Sequence, residues 1–468
     1  MSCFVSYNTL RRKGKYFVEL KGKNVLILGL ARSGIAAAME LANLGTTVTA
    51  SDIKPRKEFK DMSFLESIGV HLVFGGHPLT LLNQCDLIVL SPGVPDDLEI
   101  LKEAKKRNIP IISELELGYW FAKAPIIAVT GTNGKTTTTT LIGEILKNGE
   151  KNIILAGNIG IPLIREVEKA EDKDYLVVEV SSFQLENIMH FRPKISVILN
   201  ITKDHLNRHK TFEKYIEAKA RILENQIEGD YTVLNYDDPI VRTFAKKAKP
   251  KVLFFSRKEE LERGAYVKNG VIVIRDNGKI YPVLKAEELG IKGSHNLENA
   301  LAAACVAWIT RINLNNMAET MKDFRGVEHR LEFVANIDGI KFINDSKATN
   351  PDAAQKAIEA LEEPIVLIAG GYDKKSDYSD FIKTFKGKVK KLILIGDTAS
   401  IIEDTAIKHG FFDIEKANSL QDAVKSAYNA AAAGDVVLLS PACASWDMFE
   451  SFEERGRIFK ETVHSLKR

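Results

Sequence analysis

The stretch Ile126 to Leu146, IIAVTGTNGKTTTTTLIGEIL, constrains this chain more than any other. An apolar run from Ile126 to Val129, preceded by Pro125, reads as a buried parallel strand. It feeds Thr130-Gly131-Thr132-Asn133-Gly134-Lys135-Thr136, and Leu141, Ile142, Ile145 and Leu146 then mark a helix. Strand, glycine loop and helix start together make a phosphate cradle. The glycines let backbone N–H groups turn toward one anion, and the helix N-terminus adds its partial positive charge. Lys135 is expected to reach the terminal phosphates and the Thr136 hydroxyl to sit on Mg²⁺. The spacing GxxGKT is shorter than the usual GxxxxGK[ST], so a Gly-Asn turn before an ordinary helix stands as the competing reading.

The length of 468 residues suggests about three domains around this loop. A formal charge of +3 leaves no footprint for nucleic acid. Cys3, Cys85, Cys305 and Cys443 are scattered without CxxC spacing, which fits a reducing compartment better than a disulfide frame or a zinc site. No apolar run approaches a membrane span. Met1 to Glu19 carries Arg11, Arg12, Lys13 and Lys15 without an apolar core after them, so it reads as a mobile basic tail rather than a secretory signal.

In the first third, a strand from Asn24 to Gly29 runs into Gly29-Leu30-Ala31-Arg32-Ser33-Gly34 and a helix. Thr47 to Ser51 is the next strand, with Asp52 at its tip. This is a βαβ unit of Rossmann type. Three readings stay open: NAD with Asp52 on a ribose hydroxyl, a packing turn that binds nothing, or another nucleotide diphosphate such as a UDP-sugar. A strand from Asp86 to Leu90 empties into Ser91-Pro92-Gly93-Val94-Pro95, at the strand end where ligands of open α/β sheets collect.

In the middle third, Asn158 sits between Gly157 and Gly160, and Tyr175 to Val180 is a strand carrying Glu179 before Ser181-Ser182-Phe183-Gln184. A carboxylate at a strand end beside a phosphate loop is where a Mg²⁺ ligand is expected; a carboxylate paired with a lysine is the plainer alternative. His205 follows a strand from Ile195 to Leu199 on the same edge. Lys219 lies in a helix expected over Phe212 to Asn225 and on pattern alone is a solvated lysine. Asn269-Gly270 and Asn277-Gly278 signal hairpins that make a small antiparallel appendage. Asn296 and Asn299 share a helix face and either read an adenine edge or cap the helix. The last third is a second α/β unit. Its strands empty into Asn344 to Pro351, Gly370 to Lys374 and Ser440 to Asp447, with Phe449 and Phe452 on the helix beyond. Three such loops bearing Lys, Ser or Thr suggest a small anionic ligand, against the alternative of plain turns.

Taken in order, Thr130 to Thr136, EVSSFQLE around Glu179, Asp204-His205, EAKARI around Lys219, His295-Asn296, His329-Arg330 and Asn344 to Lys347 resemble the Mur ligases, ATP-dependent amide-forming enzymes of bacterial peptidoglycan synthesis. Asn344 to Asn350 (NDSKATN) and Ser440 to Gly456 look like those of members that add D-glutamate to UDP-N-acetylmuramoyl-L-alanine. The resemblance covers nearly everything from about Glu19 onward, leaving the basic tail outside it. It implies an α/β chain of three domains. Residues 1–113 are a Rossmann-like domain for the UDP-substrate, 114–326 a central P-loop mononucleotide domain with the antiparallel appendage, and 327–468 a Rossmann-like domain for the incoming amino acid.

Residue by residue, the resemblance implies that Gly131, Thr132, Asn133, Gly134, Lys135, Thr136, Thr137, Asn296, Asn299, Arg330, Asp345 and Lys347 hold ATP. Leu30, Ala31, Asp52, Gly93, Asn158, Ser181, Gln184 and His205 line the UDP-substrate, and Thr349, Lys374, Ser445 and Phe452 seat D-glutamate. Thr136 and Glu179 hold one Mg²⁺, and His205 a second, bridged by Lys219 as a carbamate formed from CO₂. Lys135, Glu179, His205 and Lys219 form the catalytic group. Either Tyr372 or Asp373 fills an acidic position in the GGYDK loop, and Trp446 alters the pocket edge. A cytoplasmic monomer without nucleic-acid or membrane partners is expected. The rivals are a folylpolyglutamate synthetase, which needs no UDP-type first domain, and a nucleotide-gated binding protein without turnover.

Overall fold

A computed structural model describes residues 9–12, 15–18, 20–59, 61–158 and 160–466. The chain divides into two compact units. The first comprises Met1–Lys203, Arg208–Lys285 and Ala300–Thr320; the second comprises Asp204–Asn207, Ala286–Asn299 and Met321–Arg468.

The first unit opens with a two-stranded antiparallel hairpin, β1 (Thr9–Arg12) and β2 (Lys15–Val18). The basic tail expected over Met1 to Glu19 is therefore paired in this part, while residues 1–8, 13, 14 and 19 lie outside the described residues. Five parallel strands follow: β3 (Asn24–Leu28), β4 (Thr47–Asp52), β5 (His71–Phe74), β6 (Leu87–Leu90) and β7 (Ile111–Ser113), in the order β5-β4-β3-β6-β7. β3 and β6 are buried along nearly their full length, as the apolar runs require of a parallel sheet covered on both faces. Where β3 turns into the helix Arg32–Asn43, a Cβ on Gly34 would lie 1.8 Å from the Gly29 carbonyl oxygen, so no other residue fits this turn.

The larger sheet contains β8 (Ile126–Thr130), β9 (Ile153–Gly157), β10 (Tyr175–Glu179), β11 (Ile195–Ile198), β12 (Tyr231–Asn235), β13 (Lys251–Ser256), β14 (Gly264–Lys268), β15 (Val271–Asp276) and β16 (Lys279–Lys285). Their order is β16-β15-β14-β13-β12-β11-β8-β10-β9. β8 lies between β10 and β11, with Val129 opposite Glu179 and Thr130 opposite Ile198. That register brings the loops after these three strands to one edge. The expected hairpins β14-β15-β16 continue this sheet, because β14 pairs in parallel with β13. One apolar core joins the two sheets through the helix Glu114–Phe121, whose Leu115, Leu117 and Trp120 pack with Val25 and Ile27 of β3 and Ile126 and Ala128 of β8. Each such leucine contributes roughly 1.5–3 kcal/mol. The buried Glu116 carboxylate of that helix accepts the amides of Met189, His190 and Phe191 and the Trp120 indole N–H, at 2.6–2.9 Å.

The second unit carries β17 (Glu332–Ile337), β18 (Ile340–Asn344), β19 (Ile365–Gly370), β20 (Val389–Ile395), β21 (Ile414–Lys416) and β22 (Val436–Leu439), in the order β17-β18-β22-β19-β20-β21. Only β17 runs antiparallel. Leu439 lies opposite both Asn344 and Ile368, so the loops leaving β18, β22 and β19 emerge together. The helix starting at Phe452 leaves Phe449 in the preceding turn, contrary to expectation. The helix begun at Phe212 ends at Ala220 and tightens into a 3₁₀ turn over Arg221–Leu223. Of the helix Ser294–Ile309, residues up to Asn299 belong to the second unit and the rest to the first.

Candidate active site

The loop after β8 is built as its sequence requires. Gly134 sits at φ +82°, in the left-handed region, immediately before the helix Lys135–Asn148. The loop is cross-tied: the Asn133 amide donates to Asn200 Oδ1 at 2.9 Å and the Thr132 amide to the Asn200 carbonyl at 2.9 Å. Thr132 Oγ1 receives the Thr202 amide at 3.0 Å and lies 3.1 Å from the Tyr215 hydroxyl. The Lys135 ammonium folds back to the carbonyls of Gly131 (3.0 Å) and Thr132 (2.8 Å). The Thr136 hydroxyl donates to Glu179 Oε2 at 2.7 Å, and Asn158 donates to Glu179 Oε1 at 2.8 Å. Glu179 is only 2% exposed, and Thr137 is buried in the first helical turn. A hydroxyl, a carboxylate and an amide oxygen are hard donors suited to a divalent ion.

Lys219 departs furthest from the pattern-based reading. It is buried rather than solvated, and its ammonium donates to the Gly131 carbonyl at 2.8 Å while lying 4.8 Å from the centre of the Tyr215 ring. Ser181 and Gln184 form a capping box on the helix Ser182–Glu186. At the five-stranded sheet, Asp52 Oδ2 accepts the Leu30 amide at 2.7 Å, Ala31 caps the following helix, and Gly93 lies in the turn after β6.

The remaining candidates belong to the second unit. His205 has a left-handed backbone, φ +52°, and its Nε2 lies 3.6 Å from Asp204 Oδ2. The same oxygen accepts Asn350 Nδ2 at 3.1 Å. Asn296 donates to the Lys292 carbonyl at 2.8 Å and Asn299 to Asn296 Oδ1 at 3.2 Å, so the pair is tied to its own helix start. Burial, then the charges of Arg330 and Lys356, hold His295 neutral with its pKa pushed down to about 3. Burial raises the Asp345 carboxyl to about 6 against the opposing pull of Arg330 and of Ser440, whose hydroxyl donates to it at 2.8 Å. Lys347 lies 5.0 Å from the centre of the Phe452 ring. Lys374, its pKa lowered by burial and sustained by Asp204, donates to the Thr349 carbonyl at 3.4 Å and lies over Trp446. Ser445 is buried; Tyr372 pairs by its backbone with Ala444, and Asp373 accepts the Lys375 amide.

Sequence reasoning missed Arg455. It is fully buried and donates to Ser346 Oγ and to the carbonyls of Ser346, Cys443 and Ala444, knitting two strand-tip loops together. Its only signal was an arginine one turn into an otherwise apolar-faced helix. Tyr215 was missed for the same reason: its phenol faces inward at helical spacing from Lys219.

These features define a phosphate-loop α/β protein with a second α/β unit of its own strand-tip loops. Three family descriptions match: the MurD-like N-terminal domain over residues 23–113, the Mur ligase middle domain over 129–307 and the Mur ligase glutamate ligase domain over 329–443. A UDP-N-acetylmuramoylalanine–D-glutamate ligase of Thermoanaerobacter sp. is 56% identical over 454 residues, covering 96% of this chain and 100% of that protein. The ligase of the same name from Clostridioides difficile is 47% identical over 453 residues, with 96% and 100% covered. Among solved structures, the UDP-N-acetylmuramate-alanine ligase MurC of Thermotoga maritima matches with a TM-score of 0.60 at 22% identity, covering 95% of this chain and 99% of that one. The MurF ligase of the same organism, solved with ADP, matches with a TM-score of 0.60 at 16% identity over 96% of each chain. The chain belongs to the Mur ligase family.

Proposed function

We infer that the protein joins D-glutamate to UDP-N-acetylmuramoyl-L-alanine at the expense of ATP, releasing ADP and phosphate, in peptidoglycan precursor synthesis. The observation that carries this reading is full-length identity of 47–56% to ligases named for that reaction. The Thr136–Glu179 pair beside the phosphate loop supports it.

A carboxylate does not condense with an amine unaided, because its oxygen is a poor leaving group. In this reading the alanyl carboxylate attacks the γ-phosphate of ATP, and the neutral amine of D-glutamate then displaces phosphate from the acyl phosphate through a tetrahedral intermediate. Bringing two anions together demands positive charge. Lys135 and the loop N–H groups supply part of it. Thr136 and Glu179 would hold one Mg²⁺, and His205 with a carbamylated Lys219 a second; when bound, the ions neutralise the phosphoryl oxygens. Asn296, Asn299, Arg330, Asp345 and Lys347 are assigned to ATP. Leu30, Ala31, Asp52, Gly93, Asn158, Ser181 and Gln184 are assigned to the sugar nucleotide, and Thr349, Lys374, Ser445 and Phe452 to D-glutamate. The reading includes the three-domain division, a monomer and a cytoplasmic location. No helix among the described residues is long and apolar enough to cross a membrane.

The test is phosphate release by purified protein offered UDP-N-acetylmuramoyl-L-alanine, D-glutamate and MgATP. Release should require all three; release no faster than from MgATP alone rejects the assignment.

A further inference from the structure

In the first unit lies a chain of buried and half-buried polar side chains that none of the assigned roles uses. Glu186 ends the short helix Ser182–Glu186. Its Oε1 lies 3.0 Å from His209 Nδ1 and its Oε2 3.0 Å from Arg208 Nη2. His209 Nε2 lies 2.9 Å from the Ser182 hydroxyl. Nδ1 thus faces the carboxylate and Nε2 the serine hydroxyl. Serine, histidine and glutamate in this order have the geometry of an acyl-transfer nucleophile. Ser182 and His209 are 3% and 4% exposed, however, so no substrate reaches the hydroxyl. The arrangement holds parts together instead.

What it holds is specific. Arg208 Nη1 donates to the Val94 carbonyl, in the loop that follows β6 beside Gly93. Its guanidinium covers the Phe183 ring at 5.1 Å. The His209 ring packs against Phe183 at 5.4 Å and Tyr215 at 5.1 Å. Tyr215 in turn touches Thr132 of the phosphate loop and supports Lys219. A continuous path thus runs from the strand-tip loop of the five-stranded sheet to the phosphate loop of the larger one. Glu186 is its hub, because one carboxylate satisfies both cationic or polar arms.

We propose that Glu186, Arg208 and His209 are positioning residues that fix the Ser91–Pro95 loop against the phosphate loop, so that the sugar nucleotide gripped by the first is aligned with the phosphoryl donor gripped by the second. This rests on the function proposed above. Arginine suits the task because its planar fork reaches two acceptors at once, which a lysine ammonium on one stem does not.

The test compares Arg208→Lys and His209→Gln with the parent in two measurements. The first needs no ligand: amide hydrogen exchange of the Ser91–Pro95 segment in the full chain. At least tenfold faster exchange at Gly93 and Val94 is expected for Arg208→Lys; exchange equal to the parent overturns the clamp, whatever the enzyme turns over. The second is steady-state kinetics. kcat/KM for UDP-N-acetylmuramoyl-L-alanine should fall at least tenfold in both variants, with the KM for ATP within twofold and Tm within a few degrees. An equal loss toward both substrates signals general loosening and overturns the proposal. If Arg208→Lys does not fold, His209→Gln carries the kinetic test alone. Failure of the parent to ligate rejects the functional reading, while the exchange experiment still decides the clamp.

Discussion

Lys135 and Lys219 donate to the same oxygen, the carbonyl of Gly131, at 3.0 and 2.8 Å. One comes from the helix that follows the loop, the other from a helix beyond β11. While Lys219 is unmodified, two ammonium groups converging on one carbonyl repel each other, by a few kcal/mol at an effective dielectric near ~20. Carbamylation of Lys219 removes that repulsion, and an anion entering the loop gives the Lys135 ammonium a charged partner.

Lys135→Ala is therefore expected to lower kcat for phosphate release by at least about 10³-fold, some 4 kcal/mol of transition-state stabilisation. Thermal unfolding of the variant separates this loss from lost stability, because the lysine also donates to the carbonyls of Gly131 and Thr132. Turnover within tenfold of the parent would remove Lys135 from the reaction.

Lys219→Ala should abolish ligation, and formate or acetate should restore a measurable fraction. A free ammonium repels a divalent ion, whereas a carbamate offers it two oxygens. The cavity left by the lysine admits a small carboxylate in the same place. If no short acid restores activity at any concentration, the carbamate assignment is withdrawn.

Thr136→Val keeps the shape of the side chain and removes the hydroxyl that donates to Glu179 at 2.7 Å. The apparent affinity for Mg²⁺ should drop about tenfold or more, in line with losses typical when a ligand sphere is disturbed. An unchanged Mg²⁺ dependence of kcat would separate Thr136 from the metal.

Glu114 gives a pH-dependent prediction. It is 1% exposed; Oε1 accepts the Ile164 amide at 2.8 Å, and Oε2 is buried with no hydrogen-bond partner of ordinary geometry among the described residues. Burial pushes its pKa up to about 7. A carboxyl raised on folding binds its proton more tightly in the native state. Its stabilising contribution is full below the unfolded value and is lost as pH rises through about 7. Glu114→Gln should therefore be more stable than the parent at pH 8, by about 1–3 kcal/mol, and should lose that advantage near pH 4.5. Urea unfolding at the two pH values measures this; the same difference at both would show that ionisation is not the cause.

Most of the architecture was legible because parallel strands covered on both faces leave unbroken apolar runs: Ile126–Val129, Leu87–Leu90 and Val436–Leu439 each emerge as strands. The turn chemistry was equally plain at Gly134 and at Asn269-Gly270. What the chain does not write down is the company a polar residue keeps. Lys219 has helical spacing indistinguishable from a surface lysine, and only the strand order that lays β11 beside β8 buries it. The continuation of β14 to β16 from the larger sheet was hidden because the parallel β13–β14 pairing leaves no local signature. Arg455 and the Glu186–Arg208–His209 chain depend on partners far away in sequence, which spacing rules do not reach.

The turn at Gly34 carries a lesson about how such a chain can vary. Its hydrogen stands where a methyl would collide with Gly29, so the mouth of the first crevice is moulded by an atom that is missing. Mutations that retune the crevice for another guest can be drawn from its rim, but drift at position 34 is closed unless the strand above it moves as well.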